Sequence, residues 1–236
     1  MSASAAQKLS PPAGLQQEFR AVCPQADLRR ALFLANMVCE RRKTLPMLAY
    51  VRLTLADGIL SIDSTDMDNA LTSTIAALSF GAGSVAAPAV KMLRIISRLS
   101  GPIELEIMPN DTALTIRDGN GTTFSLSCQG SDDYPWPGLP TEYALGFLLT
   151  TEECLTLLRR IRHCISTEET RYYLNGVHLS VAGNMLRATA TDGHRLARVK
   201  MPAPAGAGSM PAAGVIIPQK TIGVLFEMLR RGDDLV

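Results

Sequence analysis

The sequence has almost no excess charge: 23 Lys and Arg stand against 22 Asp and Glu, a formal net charge of +1 over 236 residues. Any affinity for nucleic acid must therefore come from where the cations sit, because no bulk basic field exists to supply it. Histidine is scarce. His163, His178 and His194 are the three present, and none forms an H-x-x-x-H ligand pair. The five cysteines, Cys23, Cys39, Cys128, Cys154 and Cys164, are odd in number and include no C-x-x-C pair. That argues against a zinc knuckle or a disulfide framework and fits a reducing, cytoplasmic setting. The chain has no G-x-S-x-G elbow, and Gly81-Ala82-Gly83 is not followed by the Gly-Lys of a phosphate-binding loop. No apolar run is long enough to cross a bilayer, so no membrane role is expected. Residues 1–16, MSASAAQKLSPPAGLQ, lack the apolar core of a signal peptide and read as a flexible tail. No cofactor is expected.

What is present is a globular composition, 47% apolar, with two distinct periodicities. Phe19 to Cys23 reads as a strand, after which Leu28, Ala31, Leu32, Ala35 and Val38 recur at helical spacing, with Asp27 near the start. From Tyr50 the pattern alternates through Val51, Leu53 and Leu55, turns at Asp57-Gly58, and returns through Leu60 and Ile62. Val85 to Pro88 closes a strand, and a helix with Met92, Ile95, Ile96 and Leu99 on one face follows. Three more strands are expected over Ile103 to Met108, Ala113 to Arg117 and Thr122 to Cys128. The segment 130–140, GSDDYPWPGLP, is dense in turn formers and marks a domain boundary.

The second half repeats the first. A helix with Cys154, Leu157, Leu158, Ile161 and Ile165 on one face leads to a strand, a Gly183-Asn184 turn and a return strand. Gly58 precedes Thr65-Asp66 by the interval that separates Asn184 from Thr191-Asp192, and Leu60 falls where Leu186 falls. Val85-Ala86-Ala87-Pro88 matches Val215-Ile216-Ile217-Pro218, each before an amphipathic helix. Two copies of one unit are therefore expected. We expect a tail over 1–16, a first domain over 17–138 and a second over 139–236, the latter lacking the final strands of the first. The stretch 201–214 is expected to be a mobile surface loop.

The run Ala190-Thr191-Asp192-Gly193-His194-Arg195-Leu196-Ala197 resembles the central signature of the beta subunit of bacterial DNA polymerase III, the sliding clamp family. Arg171-Tyr172-Tyr173-Leu174-Asn175-Gly176 matches the segment that precedes it in that family. Thr44-Leu45-Pro46, Phe124-Ser125-Leu126 and Asp133-Tyr134-Pro135 match first-domain motifs. The resemblance runs from about Phe19 to Val236. It implies an α+β DNA-clamp fold, made of repeated units with sheets outside and helices on the DNA-facing side. Family members carry three such domains and close as head-to-tail homodimer rings. By the resemblance the sequence covers the first domain and about two-thirds of the second; a third is expected to be absent, and ring closure would depend on it.

The resemblance further implies two surfaces. For duplex DNA the expected residues are Arg42, Lys43, Lys91, Arg94, Arg98, Tyr172, Tyr173 and Lys220. Lys91, Arg94 and Arg98 also stand out by spacing alone, since they share a helix face and residues 89–100 contain no acid. Such cations hold phosphates without reading bases. Val90 and Gln219 are neutral where family members can be basic, and Glu168 adds an acid near the tyrosines, so weaker DNA affinity is expected. The second surface is a cleft for short motifs from the polymerase catalytic subunit, the clamp loader and other clamp-binding proteins. Its expected residues are Arg171, Leu174, Thr191, Gly193, His194, Arg195 and Leu196.

Three other readings fit parts of the sequence. Asp192 beside His194 has the chemistry of an acid–base pair, which would suit a hydrolase, but no other catalytic motif accompanies it. A shortened clamp relative could instead cap or compete with a full clamp through its first-domain edge. Ordinary solvated helix faces would account for the cations equally well on charge alone. Recurrence of basic helices in both copies favours the DNA-facing reading.

Overall fold

The computed structural model describes residues 18–40, 45–107, 112–138 and 146–230. Arg42, Lys43 and Thr44 lie outside them, as do the tail and Arg231. Two compact units are distinguished, 1–32 with 41–63 and 72–134, and 33–40 with 64–71 and 135–236.

The first stretch of chain runs β1 (Glu18–Pro24), α1 (Gln25–Val38), β2 (Tyr50–Ala56), β3 (Ile59–Thr65), β4 (Ala70–Ala76), β5 (Leu78–Pro88) and α2 (Ala89–Ile96). It continues through β6 (Pro102–Ile107), β7 (Ala113–Asp118), β8 (Thr123–Ser127) and the two-residue β9 (Gln129–Gly130). The strands form one sheet in the order β4-β3-β2-β5-β1-β6-β7-β8, with β9 on β5. Alternation sets its two faces. Leu53, Leu55, Leu60, Ile62, Ile103, Leu105, Leu114 and Ile116 are fully or almost fully buried, as are Leu28 and Leu32 of α1 and Met92 and Ile96 of α2. Burying each such side chain is worth about 1.5–3 kcal/mol. The opposite face carries cross-strand ion pairs, with Leu78 and Phe80 of β5 exposed beside them. Arg52 forms an ion pair with Asp63, which also accepts a hydrogen bond from Thr72 at 2.7 Å. Arg20, Glu104, Arg117 and Glu106 form a second ladder.

The later stretch runs α3 (Thr151–Ile161), β10 (Gly176–Ala182), β11 (Met185–Thr191), β12 (Leu196–Pro202), β13 (Val215–Pro218) and α4 (Gln219–Arg230). Its sheet order is β12-β11-β10-β13. Leu157, Leu158 and Ile161 of α3 and Ile222, Phe226 and Leu229 of α4 bury against Val177, Leu186, Ala188 and Ala190. Strand β13 comes very close to β10 at Gly176, where a Cβ would stand 2.4 Å from Ile217 O, so no other residue fits there without backbone movement.

The structure adjusts several expected boundaries. Helix α2 stops at Ile96, because its last turn tightens, with Arg98 N donating to Ile95 O and Leu99 N to Ile96 O. Gly101, at φ +74°, then turns the chain into β6. Helix α3 likewise gives way to a 3-10 turn over Arg162–Cys164, which leaves Ile165 beyond it. Within 130–140, Gly130 does pair in a sheet, with Val85, and Tyr134 is buried with its hydroxyl donating to Tyr50 O and Asp63 O. The 201–214 stretch contains a 3-10 turn, Ala207–Ser209, whose Ala207 is fully buried.

Candidate DNA and peptide surfaces

The expected DNA residues do not all stand alike. On α2, Lys91 and Arg94 are three residues apart, both exposed, on the side opposite Met92 and Ile96. Neither has an acidic partner among the described residues. Arg98 is exposed too, but it sits in the turn after the helix and not on the helix itself. On α3, Arg159 and Arg160 are exposed in the last turn, where cations also favour the helix dipole. Arg162 lies 4.0 Å from the centroid of the Phe226 ring, a cation–π contact. Arg230 is paired with Glu227 at 2.7 Å.

Lys220 is already engaged. Its Nζ donates to Val38 O at 2.5 Å and forms an ion pair with Asp66, while the next residue, Thr221, donates to Asn69 Oδ1 at 2.5 Å. Burial by itself raises the Asp66 carboxyl, but hydrogen bonds from Lys220 and Asn69 outweigh it and leave the group below its ordinary value. Tyr172 and Tyr173 are 79% and 58% exposed, with their rings edge to face at 5.8 Å. Two large aromatic rings left in solvent are costly unless something covers them. Arg171 beside them is paired with Glu168 at 3.3 Å.

The expected peptide residues converge on one turn. Thr191 Oγ1 donates to Arg195 O at 2.8 Å and accepts from Gly193 N at 3.1 Å. Asp192 Oδ1 accepts from His194 N and Arg195 N at 3.0 and 2.9 Å, and Oδ2 pairs with Arg195 Nε at 2.8 Å. Those backbone N–H groups, Arg195 first and His194 second, hold the Asp192 carboxyl down at about 2. Both of its oxygens are committed to the turn, which removes the carboxylate that a catalytic pair with His194 would need. Gly193 has φ +90°, and a Cβ there would stand 2.8 Å from Arg171 Nη1, so the Arg171 guanidinium lies directly over this residue. Leu196 is 59% exposed at the start of β12, and Leu174 is half-buried. The turn thus presents two guanidinium groups, one of them over the Gly193 backbone, and an exposed leucine side by side.

The first copy makes the same turn. Thr65 Oγ1 donates to Asn69 O at 2.8 Å and accepts from Met67 N at 3.0 Å, while Asp66 Oδ1 accepts from Asp68 N and Asn69 N at 3.1 and 2.7 Å. Met67 takes the left-handed position at φ +76° that Gly193 fills in the second copy. The shared turn is legible in the matched positions of Thr65-Asp66 and Thr191-Asp192, whereas the clasp of Lys220 and Thr221 on the Asp66 turn pairs residues more than 150 positions apart and no local pattern signals it. Among the described residues, no three of His, Cys, Asp and Glu converge as metal ligands would. No helix among them is long and apolar enough to cross a membrane.

Two versions of one sheet-and-helix unit, each with a Thr-Asp turn and exposed cations on its helices, define a protein of the DNA-clamp fold class. The family model for the N-terminal domain of the DNA polymerase III beta subunit matches residues 20–139, and the model for its central domain matches 148–236. The beta sliding clamp of Caulobacter vibrioides is 35% identical over 221 residues, which are 90% of this chain and 58% of that one. That of Escherichia coli K12 is 32% identical over 198 residues, 82% of this chain and 52% of that one. The crystal structure of the sliding clamp of Bartonella birtlesii bound to griselimycin matches with a TM-score of 0.83 at 35% identity, covering 92% of this chain and 58% of that one. The chain belongs to the DNA polymerase III beta subunit family. It spans a little over half the length of these relatives.

Proposed function

We propose that the chain serves as a sliding clamp, a non-catalytic processivity factor of bacterial DNA replication in the cytoplasm that holds duplex DNA and tethers the polymerase. The observation that carries this reading is the exposed, acid-free cation pair Lys91 and Arg94 on α2, together with Arg159 and Arg160 on α3. Cations on helix faces attract phosphates without fixing a register, which is what movement along DNA requires. In our reading Arg98 goes with Lys91 and Arg94, and Tyr172 and Tyr173 go with Arg159 and Arg160, with Arg42 and Lys43 added on the resemblance. Lys220 contributes by holding the Asp66 turn, since its ammonium is already taken up.

Short extended motifs of the polymerase catalytic subunit, the clamp loader and similar proteins would dock on the 191–196 turn. Leu196 and Leu174 supply apolar area, Gly193 leaves room for Arg171 to lie close over the turn, and Arg171 and Arg195 meet acidic or amide groups. A homodimer ring is the family pattern, and its closure would depend on the third domain that such rings contain.

The test is retention of the purified chain on circular primed DNA against the same DNA linearised, at low and moderate salt. Loss on linearisation is the expected result. Equal, salt-sensitive release from both forms would overturn the sliding function and leave only a DNA-binding fold.

A further inference from the structure

The two copies of the unit differ on the sheet face turned away from the helices. Aligning Leu60 with Leu186 through the observed registers sets Arg52, Ser61, Asp63 and Thr72 of the first copy against His178, Arg187, Thr189 and Arg198 of the second. In the first copy this face is closed on itself, since Asp63 takes both the Arg52 ion pair and the Thr72 hydroxyl. In the second copy the acid is gone and cations have taken its neighbours' places. Strands β10, β11, β12 and β13 contain no Asp or Glu at all.

Arg198 and Lys200 are exposed on the edge strand β12, and Arg187 is the direct cross-strand partner of Lys200. The chain supplies no acidic partner for any of the three among the described residues. Arg198 Nε donates to Thr189 Oγ1 at 3.2 Å while the residue as a whole is exposed, and Arg187 Nε is shut off from solvent with no hydrogen-bond partner. Adjacent uncompensated cations repel one another, and a sheet face holds them together at a cost that an anionic ligand would relieve.

We propose that this outward face is a docking surface for an acidic, extended peptide segment of a partner protein, separate from both the helix faces and the 191–196 turn. Arg198 and Lys200 are two residues apart on one strand face, about 7 Å by strand geometry. That is also the repeat of alternate side chains along an extended peptide, so a Glu-x-Glu segment meets the pair in register, with Arg187 bridging beside Lys200. The four strands carry no Phe, Tyr or Trp. A single-stranded nucleic acid would therefore find phosphate contacts but no ring to stack its bases on, which favours carboxylates over a polynucleotide as the occupant.

Fluorescence anisotropy tests this with the full chain and a labelled peptide of alternating Glu and Val, alongside a labelled oligothymidylate of equal charge. The acidic peptide is expected to bind at low salt and to weaken as salt rises. The double substitution Arg198→Glu with Lys200→Glu should weaken it by roughly tenfold or more. If that variant melts at a lower temperature than the parent, Arg198→Gln with Lys200→Gln carries the comparison, with a smaller loss in the same direction. Failure of the parent to bind, undiminished binding after charge removal, or tighter binding of the oligothymidylate with the same loss would each overturn the proposal.

Discussion

Asp192 shows how one side chain sets a local structure. Two backbone N–H donors converge on Oδ1 and a guanidinium on Oδ2, so the turn is built around an ionised carboxylate. A group ionised this readily in the folded chain, at about 2 against an ordinary 3.8, binds protons less well folded than unfolded. Its stabilisation is thus complete above the unfolded value and disappears as pH falls toward the folded one. Asp192→Asn keeps an acceptor but loses the charge, and is expected to melt below the parent by a constant margin above about pH 5. The two melting curves should converge as pH drops from about 4 to about 2, which thermal unfolding across that range would reveal. The turn's third position explains a further residue choice, because Gly193 adopts φ +90° without strain while Met67 holds a similar angle with a side chain attached. The clasp from Lys220 and Thr221 at the Asp66 turn is the stabilising feature that accompanies Met67.

At the scale of elements, the helices are defined by their ends as much as by their apolar stripes. Helix α3 begins with a complete capping box: Thr150 Oγ1 accepts from Glu153 N at 3.2 Å, and Glu153 Oε2 accepts from Thr150 N at 2.8 Å. The latter bond, with the Thr150 hydroxyl adding to it, holds the Glu153 carboxyl below its ordinary value. Thr150→Ala removes half of this arrangement and should cost about 0.5–2 kcal/mol in a urea unfolding measurement. The position of α2's end also sets where its cations stand. By stopping at Ile96 the helix keeps Lys91 and Arg94 in one helical relationship, while Arg98 takes its direction from the turn.

At the scale of the molecule, net charge says little and placement says much. With a formal +1, any DNA affinity is local, so it should fall in discrete steps as individual cations are removed. Each phosphate contact contributes roughly 0.9 to the slope of log affinity against log salt. Lys91→Ala with Arg94→Ala is therefore expected to lower that slope by about 1.8 in duplex-binding titrations. An unchanged slope would place the DNA on a different surface.

Much of this is legible in the sequence. Helix and strand periods located the cores, and the matched intervals from Gly58 to Thr65-Asp66 and from Asn184 to Thr191-Asp192 exposed the repeat, because both are written in residues close along the chain. The 191–196 turn was legible for the same reason, as its hydrogen bonds span no more than four positions. Other features were decided only in three dimensions. Helix α2 ended early through a tightened last turn that apolar spacing does not encode. Lys220 was committed to Asp66 and Val38, and Arg187 was set beside Lys200, by packing and strand register. The sequence by itself determined the elements, the repeat and the family, since these depend on local pattern and order. Only the tertiary structure decided which cations are spent on internal carboxylates and carbonyls and which remain for a ligand, because pairing a charge depends on distance in space and not on distance along the chain.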